Sequence, residues 1–121
     1  MIAIKRDIIL TTVTAYGNGG PYSERVGFDG VAQALAGATY MGGHPGDPMK
    51  SFVPFADFGT ATMAAFGTMS ALLDREKTGK GQLVEGALTR TVMAFNIALL
   101  GEEALKGIDR PAYGNRGYSA G

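Results

Sequence analysis

The chain has 121 residues, an apolar share of 45% and a formal net charge of zero, so it fits one domain or a piece of a larger one. Without a basic excess, a nucleic-acid partner and charge-driven binding to a membrane surface are disfavoured. Because the chain has no cysteine and only one histidine, His44, disulfides, thiolate zinc sites, thiol nucleophiles and histidine-rich metal sites are excluded.

The first predicted element is a strand over Asp7–Tyr16. Its β-branched residues show no polar alternation, which is typical of a strand buried on both faces in a parallel sheet. The strand ends at the glycine-rich stretch Gly17–Pro21. That stretch is similar to a phosphate-binding loop, but its glycine spacing and Pro21 do not fit a dinucleotide fingerprint. A tight turn is the better interpretation.

Two helices are predicted in the middle of the chain, separated by an irregular loop that contains His44. The first lies within Gly27–Gly43, with Asp29 as a candidate N-cap. The second covers Asp57–Lys77 and has apolar residues on most of its faces. It is therefore predicted to be a long, mostly buried helix.

The last predicted elements are a short strand over Gln82–Leu88 and a helix over Arg90–Lys106, followed by the aperiodic tail Gly107–Gly121. This order of elements predicts an α/β fold with parallel strands. Two strands do not make a stable sheet on their own. We therefore expect that the chain pairs with another chain or is part of a larger protein.

The amino terminus and the hydropathy give an expectation about location. Charged residues interrupt the apolar run within Met1–Asp7, so it does not resemble a signal peptide. No apolar run approaches the ~20 residues of a membrane span. The sequence thus predicts a soluble cytoplasmic protein without a membrane partner.

Asp57 is the candidate catalytic residue of the chain. At a helix start an aspartate is commonly an N-cap, and this remains an alternative. A carboxylate in this position can also attack a thioester carbonyl and form a mixed anhydride. Phe55 and Phe58 would keep water from that anhydride, and the helix N-terminus would stabilise the carboxylate. Capping and catalysis are compatible in position.

Four stretches of the sequence resemble class III (CaiB/BaiF-type) CoA-transferases, in the same order and at similar separations, and a turn in the tail adds to the resemblance. The most specific is the Arg-x-x-Thr-Gly-x-Gly-Gln motif of Arg75–Gln82. The stretches that carry the resemblance are Thr14–Tyr22, Gly27–Gly37, Ala56–Asp57, Leu72–Val84 and Gly114–Arg116. The resemblance covers nearly the whole chain and implies a fragment of a Rossmann-like CoA-transferase domain.

The resemblance also implies the chemistry. Asp57 takes the place of the family's nucleophile, which forms an aspartyl anhydride and then an aspartyl-CoA thioester before CoA passes to an acceptor acid. The expected substrates are an acyl-CoA and a carboxylic acid, with no tightly bound cofactor. Asp29 matches an acidic residue near the active site and is expected to support the binding of CoA, and Arg25 is a candidate contact to a CoA phosphate. A solvated arginine is the alternative for Arg25.

Two other functions stay open at this point. The α-methylacyl-CoA racemases share the fold but use a histidine directly before the acid of the first helix. Phe28 stands at that position and cannot transfer a proton, which disfavours racemisation. The second alternative is that the chain is a non-catalytic remnant that folds and self-associates or binds a partner.

The resemblance implies that residues 1–121 are the central, nucleophile-bearing segment of a longer family fold, with the regions on either side absent. The family's dimer is interlocked, and this chain is too short to form such a ring. We therefore expect a homo-oligomer or a complementary chain.

Overall fold

The structure, a computed structural model, describes residues 5–117. Two parallel strands lie beside five helices, which confirms the predicted α/β class. The elements in chain order are β1 (Leu10–Thr14), α1 (Asp29–Leu35), α2 (Ala38–Gly42), α3 (Phe55–Thr78), β2 (Leu83–Ala87), α4 (Leu88–Phe95) and α5 (Ile97–Lys106).

The two strands are parallel and in a simple register, with Leu10 opposite Leu83 and Thr14 opposite Ala87. Their residues alternate between more and less exposed positions, and Val13 is 49% exposed. The prediction that the first strand is buried on both faces is therefore wrong for the described chain. One face of the pair packs against α3, and at the other the loop residue Asn18 donates a hydrogen bond to Glu85 of β2.

The long helix α3 confirms the predicted element, but its burial is limited to one narrow stripe. The stripe consists of small residues, Ala56, Thr60, Ala64 and Ala71, and lets the helix approach its neighbours closely. The prediction of a mostly buried helix is not met in the described residues. Most of the large apolar side chains of α3 are exposed, namely Phe58, Met63, Phe66, Met69 and Leu73.

Two predicted helices are each broken in two. Gly37 adopts a left-handed conformation with φ of 80° and separates α1 from α2. Asn96 separates α4 from α5, and its side-chain amide donates a 3.1 Å hydrogen bond to the carbonyl of Ala36 at the end of α1. The polar contact fixes the bend where the hydrophobic periodicity alone suggested continuity.

A small apolar core joins α1, α3 and α4. Its buried members are mostly alanines, so helix backbones pack close together: Ala32, Ala36, Ala56, Leu88 and Val92. This core lies directly beneath the first turn of α3. The start of that helix is therefore better packed than its middle.

The tail is held to α5 by Arg110. Its guanidinium donates two hydrogen bonds, of 2.6 and 2.9 Å, to the carboxylate of Glu102, and a third of 2.7 Å to the Tyr113 hydroxyl. The hydrogen bond to Glu102 is the largest cause that raises the pKa of Arg110 above its usual range, followed by that to Tyr113. A bidentate ion pair thus holds the tail in place, although the tail has no helix or strand.

Candidate active site

The amino-terminal end of α3 lies at the edge of the sheet where both strands end. Gly86, late in β2, faces Thr60 early in α3, whereas Val84 faces Gly67 further along the helix. The helix and the strand therefore run in opposite directions. In α/β proteins, ligands bind at the carboxyl ends of the strands, which is the edge where α3 begins.

The first turn of α3 is capped from another helix and not by its own residues. The helix begins at Phe55, and its N-cap position is Pro54, which offers no side-chain cap. Asp57 is the third residue of the helix, so the alternative interpretation of Asp57 as the N-cap is wrong. Asp29, expected to cap α1, is not its N-cap either, because Phe28 occupies that position.

Asp29 caps α3. One carboxylate oxygen, Oδ2, accepts hydrogen bonds from the backbone N–H of Ala56 at 2.8 Å and of Asp57 at 3.2 Å. The first N–H groups of a helix have no partner within the helix, and a carboxylate stabilises this positive end. Asp29 is only 6% exposed, so these bonds lie in a dry environment. The structure shows Asp29 as a helix cap, and its expected place in the CoA site stays a prediction.

Gln33 completes this buried network, and sequence reasoning missed it. Its side-chain N–H group donates a hydrogen bond to Oδ1 of Asp29, and its oxygen accepts one of 2.9 Å from the backbone N–H of Ser51. Gln33 lies four residues after Asp29 and therefore on the same helix face. A polar residue at this spacing in a run of alanines was the available signal.

The carboxylate of Asp57 is exposed and makes no hydrogen bond or ion pair with any group in residues 5–117. Its backbone, by contrast, is fixed by Asp29. The arrangement presents two carboxylate oxygens to the outside from a rigid helix turn. Such a group is accessible to an electrophile in solution or in an adjoining segment.

Phe55 and Phe58, the residues predicted to keep water from Asp57, lie in the first turn of α3, and their shielding of Asp57 stays a prediction. The side chain of Phe55 is half-buried and packs against Phe95 with ring centres 6.4 Å apart, while Phe58 is 64% exposed. Phe55 separates two open clefts, each of about 550 Å³. One lies against α3 and Phe95, and the other lies between α2, the loop before α3 and the tail. Asp57 lines neither cleft.

Arg25 lies in the loop after β1, where its guanidinium stacks on the ring of Tyr22 at 4.6 Å from the ring centre. The stacking fixes the aliphatic part of the side chain and leaves the exposed guanidinium able to bind an anion. The structure places Arg25 outside the Asp29–Gln33 network. Its expected contact with a CoA phosphate stays a prediction.

Residues 5–117 contain neither a metal-binding cluster nor a membrane-spanning helix. No group of three or more histidine, aspartate or glutamate side chains there could hold a metal ion. None of the helices in that range is long and apolar enough to cross a membrane.

Comparison with known proteins decides the family. The model of CoA-transferase family III matches residues 1–121. The chain belongs to this family. The resemblance described from the sequence motifs is thereby confirmed, and so is the fold class.

Individual relatives of this family III chain are named as CoA-transferases. It is 36% identical over 109 residues to the succinyl-CoA–L-malate CoA-transferase beta subunit of Chloroflexus aurantiacus, covering 88% of this chain and 24% of that one. It is also 36% identical over 88 residues to the human succinyl-CoA:glutarate CoA-transferase, covering 72% and 20%.

A solved structure agrees with the fold. A CaiB/BaiF family protein from Brucella suis superimposes with a TM-score of 0.85 at 31% identity, over 92% of this chain and 30% of that protein. The family III chain thus spans less than a third of the length of each of these relatives.

Proposed function

We propose that the protein transfers CoA between an acyl-CoA thioester and a carboxylic acid, with Asp57 as the nucleophile. The observation that carries the proposal is the contrast at Asp57 between a backbone fixed by a buried cap and a carboxylate that is exposed and without a partner in the described chain. A fixed, accessible carboxylate is suited to attack a carbonyl, because little orientation is lost on the way to the transition state.

The proposed transfer proceeds by double displacement. A carboxylate oxygen of Asp57 attacks the thioester carbonyl, the C–S bond breaks, and CoA leaves as the thiolate. The thiolate then attacks the aspartyl carbonyl of the mixed anhydride, which releases the donor acid and leaves an aspartyl-CoA thioester. An acceptor carboxylate repeats the sequence in reverse, so that Asp57 is regenerated and a new acyl-CoA is released.

The surroundings of Asp57 support this chemistry in two ways. The amino-terminal end of α3 places a positive partial charge beside the position where the attacking carboxylate sits. The aromatic residues Phe55 and Phe58 lie in the same helix turn, and we propose that they supply apolar surface to the acyl group. An anhydride held against such surface is protected from hydrolysis once the site is covered.

The substrate class that we propose follows the names of the relatives. Those names pair succinyl-CoA with L-malate and with glutarate, both dicarboxylic acids. We propose succinyl-CoA as the donor to test first and a small dicarboxylic acid as the acceptor. Arg25 is proposed to bind a CoA phosphate, since a guanidinium stacked on Tyr22 offers a preorganised set of donors.

We further propose that this chain supplies the central, nucleophile-bearing region of the fold and acts together with additional polypeptide. The support is the exposed apolar face of α3, where Phe66 is 75% and Leu73 is 66% exposed. Contiguous apolar surface of this kind normally marks an interface. A second copy of the chain or a complementary chain is proposed to cover this face.

The test is a transfer assay on the purified protein with whatever chains co-purify with it. Succinyl-CoA and glutarate or malate are mixed, and formation of the new CoA ester is followed by liquid chromatography. Asp57→Asn should abolish transfer, because an amide is a poor nucleophile, whereas the exposed carboxylate variant Asp109→Asn should retain it. Transfer that survives Asp57→Asn would refute the proposal.

A second assay separates the racemase alternative. Incubation with a 2-methylacyl-CoA in deuterated water should give no deuterium at the α-carbon. Phe28, which is 70% exposed and directly precedes Asp29, cannot act as a base there. Deuterium uptake without CoA transfer would favour the isomerase instead.

A further inference from the structure

The amide of Gln33 joins three segments of the chain beneath Asp57. The side chain is 1% exposed, and both ends of its amide are hydrogen-bonded. One end donates to Asp29 on α1, and the other accepts from the backbone of Ser51 in the loop that leads into α3. Asp29 in turn holds the N–H of Asp57. Helix α1, the loop of residues 43–54 (the approach loop) and the first turn of α3 are therefore linked through the side chain of Gln33.

The chemistry of the two partners fixes the orientation of this amide. An ionised carboxylate can only accept hydrogen bonds, and a backbone N–H can only donate. The NH₂ group of Gln33 must therefore face Asp29, and its oxygen must face Ser51. An apolar residue of similar length would satisfy neither partner, and an ionised carboxylate would satisfy only Ser51. The position thus requires a neutral side chain with one donor and one acceptor.

We propose that Gln33 is a positioning residue for Asp57, an inference that rests on the proposed function. Its hydrogen bond to Oδ1 holds the Asp29 carboxylate so that Oδ2 faces both N–H groups of α3. Gln33 does not touch the reacting atoms in this scheme. It acts by fixing the helix turn from which the Asp57 carboxylate projects, and a small displacement of that carboxylate slows the attack.

Two substitutions of Gln33 separate positioning from general packing. Gln33→Met keeps the length but removes both hydrogen bonds. Gln33→Glu keeps the shape, and only its protonated form can donate to Asp29 while it accepts from Ser51. Burial and the adjacent carboxylate of Asp29 raise the pKa of the introduced carboxyl group, so the competent, protonated form gains population as the pH falls.

Four charged groups belong to the segments that surround Gln33. They are Asp29 on the same helix, Asp57 at the start of α3, Lys50 in the approach loop, whose side chain packs on Gly30, and Arg116 in the tail. Helix α2 carries no charged residue, and Arg90 of α4 packs on Gly17. Lys50 and Arg116 are exposed and screened by solvent, so Asp29 dominates the shift.

The experiment measures kcat and KM for CoA transfer between about pH 5.5 and 8. The wild-type protein, measured at each pH, is the reference. Gln33→Met should lower kcat by about tenfold to hundredfold with KM for the acyl-CoA nearly unchanged, at every pH. The activity of Gln33→Glu relative to wild type should be equally low at the alkaline end and should recover as the pH falls. Wild-type kcat in both variants, or a flat relative profile for Gln33→Glu, would overturn the proposal.

Hydrogen exchange provides a readout that needs no activity. The amides of Ala56 and Asp57 should exchange faster in Gln33→Glu at the alkaline end than at the acid end, after correction for the intrinsic rate. This comparison uses one folded protein and holds even if Gln33→Met does not fold. Faster exchange together with an active Asp57→Asn would refute the proposed function alone. Unchanged exchange and kcat in the Gln33 variants, with an inactive Asp57→Asn, would refute the role of Gln33 alone.

Discussion

The backbone N–H of Asp57 donates a 3.2 Å hydrogen bond to the carboxylate of Asp29, which lies 28 residues earlier and on a different helix. The long helix therefore depends on α1 for its cap. This dependence couples the stability of the fold to the geometry of the proposed nucleophile.

The first prediction concerns this cap. Asp29→Ala should lower the free energy of unfolding by about 2–3 kcal/mol, because two helix N–H groups and the Gln33 amide lose a buried acceptor. The matched control Asp109→Ala removes an exposed carboxylate and should change it by less than about 0.5 kcal/mol. Urea unfolding followed by circular dichroism measures both. Equal effects of the two substitutions would argue against a cap.

The second prediction concerns the contact between α3 and α4. A Cβ atom at Gly59 would lie 2.8 Å from the ring of Phe95, so Gly59→Ala should push the helices apart and cost about 1–3 kcal/mol. Gly101 of α5 has nothing within 4 Å of the same position. Gly101→Ala should therefore stabilise by about 0.5–1 kcal/mol through helix propensity. Thermal unfolding should show shifts of opposite sign, and shifts of the same sign would contradict the packing described.

The third prediction concerns two buried hydroxyl groups. Those of Thr60 and Thr91 are hydrogen-bonded to each other, 2.8 Å apart, between α3 and α4. Thr60→Val and Thr91→Val should each destabilise by about 1–2 kcal/mol, because each leaves the other hydroxyl without this partner. The double variant should lose clearly less than the sum. A double-mutant cycle by urea unfolding that proves additive would show that the pair contributes no coupling.

The fourth prediction concerns the proposed phosphate contact. Arg25→Met keeps the apolar packing on Tyr22 but removes the charge. KM for the acyl-CoA should rise about tenfold with kcat little changed, since a charge-assisted hydrogen bond contributes about 1.5–3 kcal/mol. Lys77→Met is the charge-matched control. Lys77 lies in the last turn of α3, at the other end of the helix from Asp57, so its replacement should leave KM unchanged. Equal KM values in the two variants would remove Arg25 from the CoA site.

Local sequence patterns predicted where helices and strands lie better than they predicted how deeply those elements are buried. The long helix was found because its apolar residues are periodic and Gly79 ends it in a left-handed conformation. Its burial was overestimated, because periodicity shows which residues are apolar but not which polypeptide covers them. Phe66 and Leu73 are exposed in a chain that spans less than a third of its relatives.

In the candidate site, too, local sequence patterns predicted individual residues but not their contacts with distant parts of the chain. Asp57 and Asp29 are candidates from the resemblance, but the local pattern assigned the capping role of Asp29 to the wrong helix. A capping interaction is usually sought within a few residues of the helix start, whereas this one joins residues 28 positions apart. The break at Asn96 was missed for a related reason, since its partner is the distant carbonyl of Ala36.

The covalent intermediate provides the most direct test of the account. The protein is incubated with succinyl-CoA and hydroxylamine, digested with trypsin and examined by mass spectrometry for the peptide of residues 51–75, which contains Asp57. We expect a hydroxamate on Asp57 that requires the acyl-CoA and is absent in Asp57→Asn but present in Asp109→Asn. CoA transfer that proceeds with no adduct on this peptide would contradict the central claim.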